Sequence, residues 1–486
     1  MSGAYGVHGT AWDQALWSAS ARPSEVAVSS PPIGFIIDGM VLGRPLTAAE
    51  RRRSQRLYCA FNFVNGLSYM CLGESLLVLF AAQLAAPNAV VALLGAMQYL
   101  GYAMLPLGVR RTARRGAAAS QADFWIARNM AALLTASAAP VWLFSPRAAW
   151  ALLLLGALLF YGFRAAGCVL FTPLLGDVST EEEAPVVIGD TTAFFNISAV
   201  AALAAITAAT HRWHGRGALA AIIVAGACLG IASSFFVRGM RETGAIRDAA
   251  RLPLRRAMAD AFRDSPGLVR LSLVWFLLNL SLIMLLPIST LALKRGCGFS
   301  DASALLCACA QFTGGIAASF ACGPLCRRFG ASRIMAVAAA GLAAVPLAWL
   351  AFPAAPAGTG AALGAGLALF LLLGCCYYLA YNATNSAFLE VCPDKKDQVA
   401  GSIAVNLAAG AGAGIAGSVL GAWLVTRAAA WAAALPSPAF SGPLGAFRLY
   451  FLLCTVPALA VLPFSRRRRP RQIKRQAGLD AARPVP

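Results

Sequence analysis

Residues 148–175, AAWALLLLGALLFYGFRAAGCVLFTPLL, carry a single charge, Arg164, in a run long enough to cross a bilayer. A helix rises about 1.5 Å per residue and the hydrocarbon core is about 30 Å thick, so roughly 20 apolar residues suffice for one crossing. The same reading gives spans near 57–82, 87–109, 124–144, 189–210 and 218–237 around it, and a second set near 269–293, 303–326, 333–352, 362–390, 399–426 and 447–464. The expected fold class is therefore all-α: a polytopic membrane protein of twelve transmembrane helices in two six-helix bundles.

Composition agrees. The chain of 486 residues is 59% hydrophobic and 12% charged, with a mean hydropathy of +0.69, whereas soluble domains carry about 25% charged residues. The net charge of +20 would suggest nucleic acid in a soluble protein, but the Lys and Arg residues fall in bursts between apolar spans. That charge is read as topology, and no nucleic-acid partner is expected. Most of the 13 cysteines lie inside apolar spans, as small hydrophobes do, and imply no disulfide framework. With only His8, His211 and His214 in the chain, neither a metal site nor a cofactor is expected.

Basic residues set the orientation. With the N-terminus in the cytoplasm, clusters at 51–56, 110–115, 238–270, 327–333, 395–396 and 466–475 fall inside, about 28 against about seven outside by the positive-inside rule. Both termini are thus expected to be cytoplasmic, in a bacterial-type inner membrane, with an even number of crossings. The start of the chain has no signal-peptide pattern. The expected divisions are a flexible cytoplasmic tail over 1–56, a six-helix bundle over 57–237, a basic cytoplasmic linker over 238–268, a second bundle over 269–464 and a basic tail over 465–486. Within the linker, the arginines from Arg247 to Arg256 fit either an amphipathic helix against anionic lipid or a solvated connection.

The two halves repeat weakly. The fourth span ends at Asp177 and the tenth at Glu390, and Gly189 and Gly401 follow after similar intervals. The loops after the second and eighth spans are both short and basic: Arg110, Arg111, Arg114 and Arg115 in one, Arg327, Arg328 and Arg333 in the other. With Gly323, Leu325, Arg328 and Gly330, the later loop resembles the signature of the major facilitator superfamily, glycine, any residue, leucine, any residue, aspartate, arginine, any residue, glycine. It departs at Arg327, where the family has aspartate. The resemblance implies alternating access by rocking of two bundles, and a central cavity lined by the first, fourth, seventh and tenth spans. Asp177 and Glu390 are then expected at a cytoplasmic gate beside these basic loops.

Polar residues inside spans are costly in lipid and mark candidate sites. Arg164 in the fourth span and Glu74 in the first are the two charges that stand out, as an anion contact and a proton-coupling group or as a structural ion pair. Arg128, placed one turn inside the third span, is read as snorkelling to the interface. Tyr378, Tyr381, Asn382 and Asn385 share one face of the tenth span at helical spacing. Trp275 and Asn279 form a shorter stripe in the seventh span, and Asn62, Asn65 and Tyr69 another in the first, where a straight helix would point Glu74 away from Asn65. Interhelical hydrogen bonding is the competing explanation for these amides. Gly410, Gly414, Gly417 and Gly421 of the eleventh span are expected on one close-packed face.

Function follows as a secondary active transporter moving a small solute, with the lipid bilayer as its other partner and a monomer as its form. A membrane-embedded enzyme and a non-transporting receptor are the competing classes. The chain lacks HExxH, GxSxG and P-loop motifs, so no enzyme is expected.

Overall fold

The computed structural model describes residues 40–213, 215–353, 360–435, 437, 440 and 443–465, with the side chains of residues 40, 74, 75, 88, 89, 92, 301 and 465 outside that description. Twelve helical rods follow one another along the chain. The first is Ala48–Met70 continued by Glu74–Gln83, and the second is Asn88–Leu100 continued by Leu105–Arg115. The third is Ala117–Ala136, the fourth Pro146–Cys168 with Phe171–Asp177, the fifth Ala184–Arg212 and the sixth Arg216–Arg238. In the second half come Pro266–Leu291, Asp301–Phe329, Ala331–Ala348 and Gly360–Val391. The eleventh rod joins Lys395–Val405 to Ala413–Ala434 through a π-helical segment, Asn406–Gly412, and the twelfth is Gly445–Ser465.

Nine of the described helices are long and apolar enough to cross a membrane on length and composition. The first three rods fall short for visible reasons. The first and second are interrupted, and the third carries Gln121, Asp123, Arg128 and Asn129. All four of these side chains turn away from the outer surface; Arg128 and Asn129 are fully buried.

One end of the bundle collects the arginine-rich loops and is called the basic face below. There the chain is ordered earlier than the sequence suggests: residues 40–56, read as part of a tail, are folded. Thr47 caps the first rod, with Glu50 N donating to Thr47 Oγ1 and Thr47 N donating to Glu50 Oε2, so that each satisfies an orphan backbone group. Glu50 also accepts from Arg44 at 2.8 Å and Arg241 at 2.7 Å. Just before this cap, Met40–Val41 pairs in parallel with Arg241–Glu242. The stretch between the sixth and seventh rods is likewise structured. Its short helix Ala245–Ala250 buries Ile246 and Ala250 in a core cluster shared by Leu174, Leu175 and Val178 of the first half and by Val399 and Ile403 of the eleventh rod. Helix Leu254–Asp264 places Ala261 in the core of the second half.

The halves meet where small residues allow close approach. A Cβ added to Gly189 of the fifth rod would lie 2.4 Å from Ser319 O of the eighth, and one added to Gly323 would lie 2.6 Å from Val186 Cα. The loops after the second and eighth rods each turn at a glycine with positive φ, Gly116 at 89° and Gly330 at 85°, a conformation that L side chains rarely adopt.

The four glycines of the eleventh rod are close-packed, though not against a single partner. Gly410 and Gly414 lie against Tyr102 and Tyr99 of the second rod, whereas Gly417 faces Ile283 of the seventh and Gly421 faces Tyr450 of the twelfth. Gly414, Gly417 and Gly421 lie in the α-helical part, Ala413–Ala434, within about 60° of one another, so it is the neighbouring rod that changes along this face.

Inside the second half, the eighth and tenth rods touch backbone to backbone. A Cβ on Gly374 would stand 1.8 Å from Gln311 O, and one on Gly364 would meet nothing within 4 Å. Gly374→Ala is therefore expected to destabilise the fold by about 2 kcal/mol, as overpacked cores do, and to lower the melting temperature of purified protein. Gly364→Ala, on the same helix, should leave it unchanged; equal effects of the two would refute this account of the contact.

Candidate substrate cavity

A cavity of about 490 Å³ lies between the halves. Its walls come from the first, fourth, seventh and tenth rods, joined by parts of the second, third, fifth, eighth and eleventh. Of the residues expected there, Asn62, Asn65, Tyr69, Arg164, Trp275, Asn279, Tyr378, Tyr381 and Asn385 all line it.

Asn382 does not, and its expected place in the cavity wall is corrected. Its Nδ2 donates to Ser319 Oγ at 3.1 Å and its Oδ1 accepts from Thr192 Oγ1 at 2.8 Å, so it is fully buried between the fifth and eighth rods. Tyr377 lines the cavity instead. At about 100° per residue the cavity-facing sector of the tenth rod is centred between Tyr377 and Tyr378, and Asn382 stands about 90° from that centre. The stripe was real but offset by one position.

Arg128 is the second correction. Rather than reaching the membrane surface, it is fully buried and lines the cavity. The third rod starts at Ala117, so Arg128 is about 17 Å along it and too deep to snorkel. Its Nη2 donates to Asn65 Oδ1 at 3.0 Å, and that oxygen also accepts from Trp125 Nε1 at 2.9 Å. The guanidinium lies 4.6 Å from the Trp125 ring centroid and 5.2 Å from that of Phe160, which is favourable cation–π geometry. Nε and Nη1 of Arg128 have no hydrogen-bond partner among the described residues.

Arg164 sits 5.1 Å from the centroid of the Tyr69 ring. Since Asn65 and Tyr69 are one helical turn apart, the two guanidiniums are anchored to neighbouring positions of the first rod. No salt bridge joins Arg164 to a carboxylate among the described residues. The side chain of Glu74 lies outside the described residues. The first rod breaks between Met70 and Glu74, so the straight-helix geometry that set Glu74 against Asn65 does not apply.

Sequence reasoning missed Gln98, Gln121, Gln311 and Tyr102, which also line the cavity. Gln98 and Gln311 are isolated amides within otherwise apolar stretches, where the cost of a polar group in lipid applies as it does to Arg164, whereas Gln121 sits in the polar first half of the third rod.

Below the cavity the halves are joined toward the basic face. Thr172 Oγ1 of the fourth rod donates to Asn385 Oδ1 at 2.6 Å. Gly176 lies beside Leu389 and Gln398, with Val399 and Ile403 packed under the end of the fourth rod. The residues expected at a gate divide. Arg111 and Arg115 hold Asp123 at 2.7 and 3.2 Å together with Arg238 at 2.7 Å, and Arg110 and Arg114 are exposed. Asp177 accepts from Thr243 N and Oγ1 at 2.8 and 2.6 Å. Glu390, expected as its counterpart, is exposed instead, as is Arg328, which rests 5.1 Å from its neighbour Phe329. Among the described residues no group of three or more His, Cys, Asp or Glu side chains is placed to hold a metal ion.

Twelve rods in two bundles around a central cavity are the major facilitator superfamily fold, and the solved structures that this chain resembles share it. The chain is similar to the fucose:proton symporter of E. coli, with a TM-score of 0.64 and 12% identity over 86% of this chain and 100% of the other. It is also similar to the human organic anion transporter MFSD10, with a TM-score of 0.58 and 17% identity over 86% and 99% of the two chains. A bacterial homologue of the iron transporter ferroportin, in an outward-facing state, gives 0.60 and 14% over 85% and 98%. No protein-family model matches the sequence, and no curated protein sequence does either.

One carboxylate on the basic face has an unusual setting. Glu242 is buried, and its Oε2 accepts from Ala117 N at 3.0 Å at the start of the third rod. Burial pushes its carboxyl up from 4.5 to about 7; the bond from Ala117 and the charge of Arg247 oppose the shift, and nearby Asp177 reinforces it. A carboxyl that holds its proton more tightly when folded adds stability below the unfolded value, and that stability is lost as pH rises through the folded one. The melting temperature in nanodiscs is thus expected to fall between about pH 5 and pH 8. In Glu242→Gln that dependence should flatten, and an unaltered profile would contradict the assignment.

Proposed function

We propose that this chain is a secondary active transporter that carries a small solute by alternating access, and that it is neither an enzyme nor a receptor. The observation that carries this is a polar cavity inside an apolar, bilayer-length shell, joined shut toward one face by the fourth, tenth and eleventh rods. A water-filled pocket at mid-depth with one closed end is what an alternating-access carrier needs in one of its states.

In this reading the bundles over 57–237 and 269–464 rock about the fifth and eighth rods. Arg164, Trp275, Asn279, Tyr378, Tyr381, Asn385, Asn62, Asn65 and Tyr69 contact the solute, and Glu74 remains the candidate for proton coupling. Asn382 acts instead as a strut between the halves. The basic face is cytoplasmic by the positive-inside rule, in a bacterial-type inner membrane, and the unit is a monomer. The similar structures are a fucose:proton symporter, an organic anion transporter and a homologue of an iron transporter, so the fold does not name the solute.

Cys168 offers a direct test because it lines the cavity. With the other cysteines replaced, a membrane-impermeant thiol reagent is expected to label Cys168 in oriented vesicles from the side opposite the basic face. A cysteine introduced at Asn382 should stay inert in the same assay. Equal labelling of the two positions, or none of Cys168 from either side, would sink the alternating-access reading.

A further inference from the structure

We infer that the solute is an organic oxyanion, whose negative group is held by Arg164 with the charge of Arg128 behind it. The inference rests on the cavity being the substrate site, and it names the class of molecule that fits there. Two guanidiniums line the cavity, and none of the described lining residues is an aspartate or glutamate. Arg164 is half-buried and reaches the water that fills the space, whereas Arg128 stands behind the wall with no exposed surface. Once the walls close over a solute that water is displaced, and a charge in the apolar interior then costs several kcal/mol unless it is paired. The protein supplies only part of the pairing: rings under both guanidiniums and the amide oxygen of Asn65 on Arg128. Nε and Nη1 of Arg128 are buried without partners. These two atoms point to opposite sides of the guanidinium and form no two-oxygen edge, so Arg128 adds uncompensated positive charge, and the fork able to bind two oxygens of a carboxylate or phosphate side by side is that of Arg164.

The rest of the cavity describes the rest of the molecule. Tyr102, Tyr377, Tyr378, Tyr381 and Trp275 line it and present flat faces to an uncharged body such as a ring or short chain. Gln98, Gln311 and Asn279 add amides for hydroxyl or carbonyl groups on that body. A cationic solute would place like charges together in the same space.

The test uses full-length protein in detergent and matched probes that differ in charge: succinate with succinamide, benzoate with benzamide, and glucose 6-phosphate with glucose. Thermal stabilisation is expected from an anionic member and not from its neutral partner, and chloride should compete with it. Arg164→Gln should weaken that anion about tenfold or more, the usual consequence of removing one charge-assisted pair, while the ligand-free melting temperature holds. Because Arg128 is fully buried, Arg128→Lys is the companion variant, which keeps the charge behind the wall; it should weaken the anion less than Arg164→Gln does. Stabilisation by a neutral member as strong as by its anion, no stabilisation by any anion, or full affinity in Arg164→Gln overturns the inference. A neutral solute that binds here and enters vesicles would leave the transport reading standing, whereas anion binding without uptake would overturn transport alone.

Discussion

Two guanidiniums in a membrane interior set the terms for the rest of this structure. Each is costly against lipid, so the rods must surround them with water, rings and amides. The first rod does most of this, with Asn65 bonded to Arg128 and Tyr69 beneath Arg164. The polar character of the third rod follows. Arg128 and Gln121 face the cavity while Asp123 binds three arginines at the basic face, and a helix with that much inward business cannot also look like a uniformly apolar span.

The basic face shows how the chain between the bundles is used. A plain tether would need no fixed shape, yet residues 241–250 form a strand that pairs with Met40–Val41 and a helix buried beside both halves. Thr243 holds Asp177 at the end of the fourth rod, and Glu242 caps the start of the third. The connection is thus part of the seal below the cavity, and it is tied to the first half through Arg241 and Glu50.

Much of the fold was legible in the sequence because hydropathy over a bilayer length is a strong signal. The first, fourth, seventh and tenth rods were all expected around the cavity and all line it. The failures lie in a misplaced helix start, in a stripe chosen by residue type and in a break of helical pitch. Reading the third span from 124 rather than from Ala117 moved Arg128 from mid-membrane to the surface and hid a second charge in the cavity. In the tenth rod a stripe chosen by residue type drew in Asn382, since a buried amide bridging two helices and one facing water look alike in sequence; only the neighbouring Thr192 and Ser319 tell them apart. The break after Met70 undid an argument that assumes one uniform pitch.

That π turn holds one residue more than an α-helix needs to cover the same rise. A single-residue deletion there would restore regular pitch without a gap in the backbone ladder, yet it would swing everything on one side of it by about 100°. Gly414, Gly417 and Gly421, all beyond the turn, would then be carried together away from Tyr99, the seventh rod and the twelfth. Among descendants of this chain, the length of the eleventh rod should therefore be inherited more strictly than the identity of most residues in it.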